Sequence, residues 1–396
     1  MSTSNSMPWG LVIAGCIGMF AATATGTTRA PFLPDMAVDL DVSLPAIANL
    51  FGVTALSWGI ASYLVGSASD RLGRRVFLIG SPACLALAMV AAAHAQTYWM
   101  LVVIVVLAGM CCGAFTSTSL AEVSLRARSS HHGRALGYVM SGQSLTLLFG
   151  VPTAAWLGAL VGWRGVHIAL SGLAVFAASC MFAALRPPPV SDVAALPPEG
   201  PRTTLREALT GPIVRLFVAL IVERVSFGLA AFYYASYLRT AYDLTIDAVA
   251  LPLVGFALGN IIGTVAGGQV ADRFAYCRIS FAATLATAGC VALPWFLWQP
   301  GVTITVTLGV VFAFFNAMAR PPLLTAMADV PPDVRGVVMG LNSTFASVGW
   351  LTAALVGGWF YAGVGFAGFG PLMAVMCIAG AAVVIPDSRV RRRHSP

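Results

Sequence analysis

Long apolar runs alternate with short polar turns along almost the whole chain, and their length carries the first inference. A helix needs about 20 apolar residues to cross the hydrocarbon core of a bilayer. Twelve runs of that order are delimited by polar turns. Six fall in the first half, at 9–28, 46–68, 77–95, 99–121, 135–160 and 166–185. Six fall in the second, at 212–236, 248–270, 279–297, 302–327, 336–361 and 366–385. The runs are too long and too continuous for the alternation of a barrel strand, and backbone groups in lipid must be satisfied within the segment, so helices are expected. The expected fold class is all-α, a polytopic membrane protein with 12 transmembrane helices.

Composition sharpens this picture. The chain is 58% hydrophobic and 9% charged with a mean hydropathy of +0.86, against about 25% charged residues in soluble domains. The formal net charge is +7, and all 22 basic residues are arginine. A nucleic-acid binder would gather basic residues on one soluble domain among aromatics; here they sit in short loops, so no nucleic-acid partner is expected. With the N-terminus placed in the cytoplasm, 17 of the 22 arginines fall on the inner side, as basic residues in short loops should. Arg29, Arg164 and Arg239 then lie at or near the outside, and Arg224 and Arg320 lie within spans. The expected location is a bacterial inner (plasma) membrane, multi-pass, with both termini cytoplasmic. The start of the chain has no basic segment and no cleavage pattern, so no removable signal peptide is expected. Eight cysteines occur without a CxxC pair and without histidines at ligand spacing, which predicts packing residues and no metal site.

Residues 186–211 form the longest hydrophilic stretch, proline-rich and charged, and read as a cytoplasmic linker. They divide the chain into residues 1–185, an N-terminal six-helix bundle, and 212–396, a C-terminal six-helix bundle with a basic cytoplasmic tail. An internal repeat supports the division. Gly66-Ser-Ala-Ser-Asp70-Arg71 matches Gly268-Gln-Val-Ala-Asp272-Arg273, and Leu120-Ala-Glu122-Val123 matches Met327-Ala-Asp329-Val330. The first motif continues as Leu72-Gly73-Arg74-Arg75. In full it resembles the cytoplasmic loop signature of the major facilitator superfamily, with the weaker copy, through Arg278, where that family places its second.

The resemblance implies two pseudo-symmetric six-helix bundles that expose a central cavity to each side in turn. It also implies a cytoplasmic gate, for which Asp70, Arg71, Gly73, Arg74, Glu122, Arg134, Asp272 and Arg273 are the candidates. A carboxylate near a helix N-terminus is favoured by the dipole and can pair with arginines; the plainer alternative is that these charges only set topology. Gly59, Gly66, Gly109, Gly113, Gly259, Gly263 and Gly267 are expected to let helices approach closely.

Charges inside a span are expensive and face a watery cavity or one another. Arg29, Glu223, Arg224 and Arg320 fall on the first, seventh and tenth helices, which in the resembling family line the cavity. With Asn316 they are the candidate substrate-binding residues, and internal pairing without substrate contact is the alternative. An arginine offers planar, bidentate recognition of an anionic group, and Glu223 is the candidate proton-coupling carboxyl. The fourth span has no arginine where the family's proton-driven drug exporters carry one, and their proline-glycine signature is degenerate at Gly150 to Gly158, so the resemblance does not extend to drug–proton exchange. No P-loop is present. The expectation is therefore a proton-coupled secondary active transporter of a small organic solute, more an exporter (efflux) than an importer of an organic anion, without cofactor and monomeric. A non-transporting sensor or an intramembrane enzyme is the contrasting class; no catalytic constellation speaks for an enzyme.

Overall fold

In the computed structural model, residues 8–126, 132–185, 209–274 and 276–385 are described. Among them every regular element is a helix. The first half contains α1 (Trp9–Thr27), a 3-10 turn (Ala30–Phe32), α2 (Leu33–Asp39), α3 (Leu44–Leu72), α4 (Arg74–Ala93), α5 (Tyr98–Arg126), α6 (His132–Leu145), a π-helical segment (Thr146–Gly150) and α7 (Val151–Ala184). The second contains α8 (Gly211–Tyr242), α9 (Ala250–Arg273), α10 (Cys277–Leu297), α11 (Val302–Ala328), α12 (Pro332–Val364), a 3-10 turn (Phe366–Gly368) and α13 (Phe369–Val384). Most of the expected linker (186–208) and the basic tail (386–396) lie outside the described residues.

Local signals place the helix ends. Ser43 accepts the Ala46 N–H at 3.4 Å with proline in the first turn, starting α3. Gly73 closes it with φ 87°, a backbone angle that a side chain disfavours, and the chain turns into α4. Ten stretches of the described residues are long and apolar enough to cross a membrane. One, Ala135–Ala184, has 50 residues and is broken at Gly162 (φ 67°, ψ 175°). The expected twelve crossings follow if that stretch spans twice and α8, at 32 residues, spans once. Trp99, Trp156, Trp359 and Val375 stand exposed on the surface, as a lipid-facing exterior requires. The chain is a multi-pass, all-α membrane protein.

The contacts resolve into two compact units. One comprises Met1–Leu185 with Ala230–Ala257 and Ala354–Gly363; the other comprises Arg186–Leu229, Leu258–Ala353 and Val364–Pro396. Each has its own apolar core. In the first, Leu11, Met19, Leu78, Phe115, Val139 and Met181 pack together. In the second, Phe217, Leu220, Phe281, Leu285, Leu323 and Met327 do so.

Glycine sets the helix spacing in both units. A Cβ on Gly109 would lie 2.9 Å from the Thr54 carbonyl oxygen, and one on Gly113 would lie 2.2 Å from that of Trp58, so α5 lies against the backbone of α3. In the second unit Gly259, Gly263 and Gly267 recur every four residues along α9. Their added Cβ atoms would come within 2.5, 2.1 and 2.4 Å of the carbonyl oxygens of Val310, Phe314 and Met318 on α11. Close backbone approach of this kind is how helices associate in lipid, where apolar burial between them supplies no drive.

Candidate functional site

The tight α9 contact holds α11 in place, and α11 carries Asn316 and Arg320 one helical turn apart. From α8 come Glu223, Arg224, Ser226 and Phe227. Arg320 donates from Nε to Glu223 Oε1 at 2.7 Å, and Arg224 Nε lies 3.3 Å from Glu223 Oε2. The Glu223 side chain has no exposed surface, whereas those of Arg224 and Arg320 keep 20% and 15%. One carboxylate thus faces two guanidinium groups, leaving one formal positive charge over. The internal pairing weighed for Glu223 is present, and it does not neutralise the cluster.

The surroundings orient these groups. The Arg320 guanidinium lies 4.3 Å from the centroid of the Phe227 ring, a cation–π contact. Phe227 meets Trp350 edge to face at 5.7 Å, which brings Trp350 to the wall of the cluster. Asn316 Nδ2 donates to Ser226 Oγ at 3.0 Å, and Ser226 donates to the Glu223 backbone oxygen at 2.9 Å. Gly349 makes room for Arg224, since a Cβ there would sit 2.4 Å from Arg224 Cβ. Among the described residues, Arg320 Nη2, Arg224 Nε, Glu223 Oε2 and Asn316 Oδ1 make no hydrogen bond, Arg224 Nε and Glu223 Oε2 facing each other only as an ion pair at 3.3 Å. Two donors and two acceptors therefore lack a hydrogen bond in a buried, charged cluster, which is what a polar ligand needs. No group of three or more metal-ligating side chains is found among the described residues.

Arg29 belongs to the other unit and has a different environment. It is buried, donating from Nη2 to Thr54 Oγ1 at 2.6 Å and from Nε to the Gly26 oxygen at 3.3 Å, with the Phe51 ring centroid 5.4 Å from its carbon. Phe51 also stacks on Phe232 at 4.0 Å. Nearby, Arg239 donates to both carboxylate oxygens of Asp35, at 2.5 and 2.9 Å, and to the Pro31 oxygen at 2.8 Å. Arg164 pairs with Asp39, which also accepts from Trp163 Nε1 at 2.8 Å. Tyr233 and Tyr234 are fully buried.

At the opposite end of α3, Glu122 is held by Arg126 at 2.5 Å and by Arg74 at 3.6 Å. Gly73 provides the positive-φ turn that positions Arg74. Arg273 ends α9, exposed. The side chains of Asp70, Arg71, Arg134 and Asp272 lie outside the described residues. Sequence reasoning missed Arg126, Asp35, Asp39, Phe51, Thr54 and Phe232. Only Arg126 had a local signal, its spacing of four residues from Glu122.

The Major Facilitator Superfamily profile matches residues 15–350 and 216–396, which between them cover nearly the whole chain. The chain belongs to this superfamily. It is therefore a transporter and not an enzyme. Among its relatives, the inner membrane transport protein YdhP of Escherichia coli is 25% identical over 383 residues, covering 96% of each chain. The multidrug resistance protein MdtG of Proteus mirabilis is 25% identical over 367 residues, covering 88% of each. Among solved structures, an inward-facing, unoccupied bacterial homologue of the human lysosomal transporter Spinster superimposes with a TM-score of 0.76 at 16% identity, covering both chains completely. That likeness concerns the fold. As a superfamily transporter, the chain takes a small-molecule substrate in the lipid bilayer.

Proposed function

We propose that this transporter is a proton-coupled secondary carrier that exports a small zwitterionic organic solute, with Glu223 as the coupling carboxyl and Arg320, Arg224 and Asn316 as solute ligands. The observation that carries this reading is the fully buried Glu223 carboxylate between two guanidinium groups. Buried carboxylates with removable partners can change charge with their environment. When a proton occupies Glu223, its hold on Arg320 weakens. When a cationic group of the solute replaces that proton, the anionic end of the solute takes the spare donors. Proton and solute then exclude one another, the requirement for exchange. The efflux name of MdtG supports the direction, and YdhP supports a bacterial inner membrane.

The sidedness follows from the arginine count: the termini and the Arg74–Glu122–Arg126 cluster are cytoplasmic, and the Asp35–Arg239 pair faces outward. Gating by the Asp70 loop and its Asp272 copy, rocking of two six-helix halves, a proton gradient as the energy source and a monomeric state complete the reading. A second reading, import of an organic anion with a proton, is favoured by the surplus positive charge. There, protonation of Glu223 would free Arg320 for the anion instead of competing with it.

Proteoliposomes separate the two. With a pH gradient imposed, exchange drives solute toward the acidic side and symport toward the alkaline side. In either case Glu223→Gln should abolish dependence on the gradient while leaving counterflow of labelled for unlabelled solute. Unchanged gradient dependence in that variant removes Glu223 from the mechanism, and absence of counterflow in the wild type removes the carrier reading.

A further inference from the structure

Arg29 is a buried cation whose charge none of the described residues around it answers. Its contacts are neutral: a threonine hydroxyl, a backbone carbonyl and an aromatic face. Among the described residues it has no carboxylate partner, and its Nη1 has neither a hydrogen-bond acceptor nor exposed surface. Thr54 is itself fixed, donating to the Leu50 oxygen at 2.7 Å, so its hydroxyl aims a lone pair at Arg29 and holds the guanidinium in one orientation. An ion buried without a counter-charge is among the costliest arrangements a protein can hold. The other arginines of this region, Arg164 and Arg239, each have an aspartate. Arg29 is therefore the side chain with an unfilled need.

The need is also coupled to contacts between residues far apart in the chain. Phe51 meets the Arg29 guanidinium and stacks on Phe232, and the Asp35–Arg239 pair fastens the same neighbourhood through the Pro31 oxygen, two residues from Arg29. While these contacts hold, Nη1 is shut away from solvent.

We infer that Arg29, oriented by Thr54 and backed by Phe51, is an anion-binding position that fills when the Phe51–Phe232 stack and the Asp35–Arg239 pair part, and that it takes a carboxylate-sized monovalent anion. The free Nη1 supplies the donor, and the fixed fork suits a carboxylate. Because the anion has access only in the parted arrangement, its binding favours that arrangement, and by linkage loosening the pair strengthens binding by the same factor. The inference rests on the carrier reading only for the source of the anion; the position itself does not depend on transport or on Glu223.

The test is thermal unfolding of the full-length protein in detergent, titrated with sodium benzoate, with its neutral isostere benzamide, and with sodium chloride, sodium sulfate holding the ionic strength. Benzoate is expected to raise the wild-type midpoint and benzamide to leave it unchanged. R29Q should lose the rise, whereas R164Q, which removes a half-exposed arginine already paired with Asp39, should retain it. D35N should reach half-maximal stabilisation at a concentration lower by roughly fivefold or more. A rise with chloride that R29Q abolishes also supports the site and identifies a free inorganic anion as the occupant; a rise with benzoate alone identifies a solute carboxylate. Should R29Q not fold, T54V keeps the charge and releases its orientation, and is expected to weaken anion binding several-fold. The inference is overturned if no anion stabilises the wild type, if R29Q or T54V keeps the full effect, or if D35N does not tighten binding. Transport measurements on E223Q are independent of all these readings, so the two proposals fail separately.

Discussion

The Glu223 cluster and the Arg29 neighbourhood treat the same chemical group in opposite ways. In the first, a carboxylate sits between Arg224 and Arg320, and the unit that holds it has an internal answer for at least one of its charges. In the second, Arg29 has only neutral partners. A buried guanidinium with a carboxylate is held by its partner, whereas one without is held by the surrounding helices against its own desolvation. The two sites therefore differ in what removing a charge should do, and that difference can be measured.

The largest expected effect is a divergence in sign. Glu223→Leu removes the one carboxylate that the described residues place in its cluster and leaves two guanidinium groups uncompensated, a loss of about 3–5 kcal/mol for breaking a buried pair. Arg29→Met removes an unanswered charge and should raise the unfolding midpoint in detergent without added anion. A fall in both variants, or a rise in both, would erase the contrast.

A smaller effect tests how the Glu223 cluster is supported. Gly263→Ala places a Cβ 2.1 Å from the Phe314 oxygen, so α9 must withdraw from α11, the helix of Arg320. The expected cost is about 1–3 kcal/mol, with solute exchange reduced in proteoliposomes. Gly10→Ala, which meets nothing within 4 Å, is the control and should leave exchange as in the wild type. Equal exchange in both would show that the α9–α11 spacing is not what positions Arg320.

The smallest effect concerns the surface pairs near Arg29. Asp39→Asn weakens a pair whose side chains are 41% and 42% exposed, and exposed ion pairs contribute about 0.2–1 kcal/mol. The midpoint should shift slightly and the shift should shrink with added salt. A large, salt-independent loss would mean that Asp39 works through Trp163 instead.

Much of the fold was readable because helix length in a membrane is a one-dimensional property. The run beginning at Trp9 and the run beginning at Val302 match α1 and α11 to within a residue at either end. The glycine positions 259, 263 and 267 were legible as a contact face because their spacing is that of a helix. α2 was not, since its seven residues carry Asp35 and Asp39 and are too few and too polar to register beside the apolar runs. The merging of α6, the π-helical segment and α7 was likewise invisible, because the break at Gly162 is a matter of one dihedral angle. Within the site, Glu223, Arg224 and Arg320 stood out because charge in an apolar run is conspicuous. Phe51 and Thr54 did not, because a phenylalanine or a threonine in a span is ordinary until something charged is placed beside it.

Composition counted along the chain is enough for the membrane as solvent, the helical class, the repeat and the short inventory of charges that lipid would not tolerate alone. Which of those charges are answered depends on the folded packing. Glu223 reaches Arg320 across 97 positions and Arg239 reaches Asp35 across 204, while Arg29 finds neutral groups. Electrostatic energy depends on distance in space, and in a helix bundle that distance is set by packing between helices far apart in the chain.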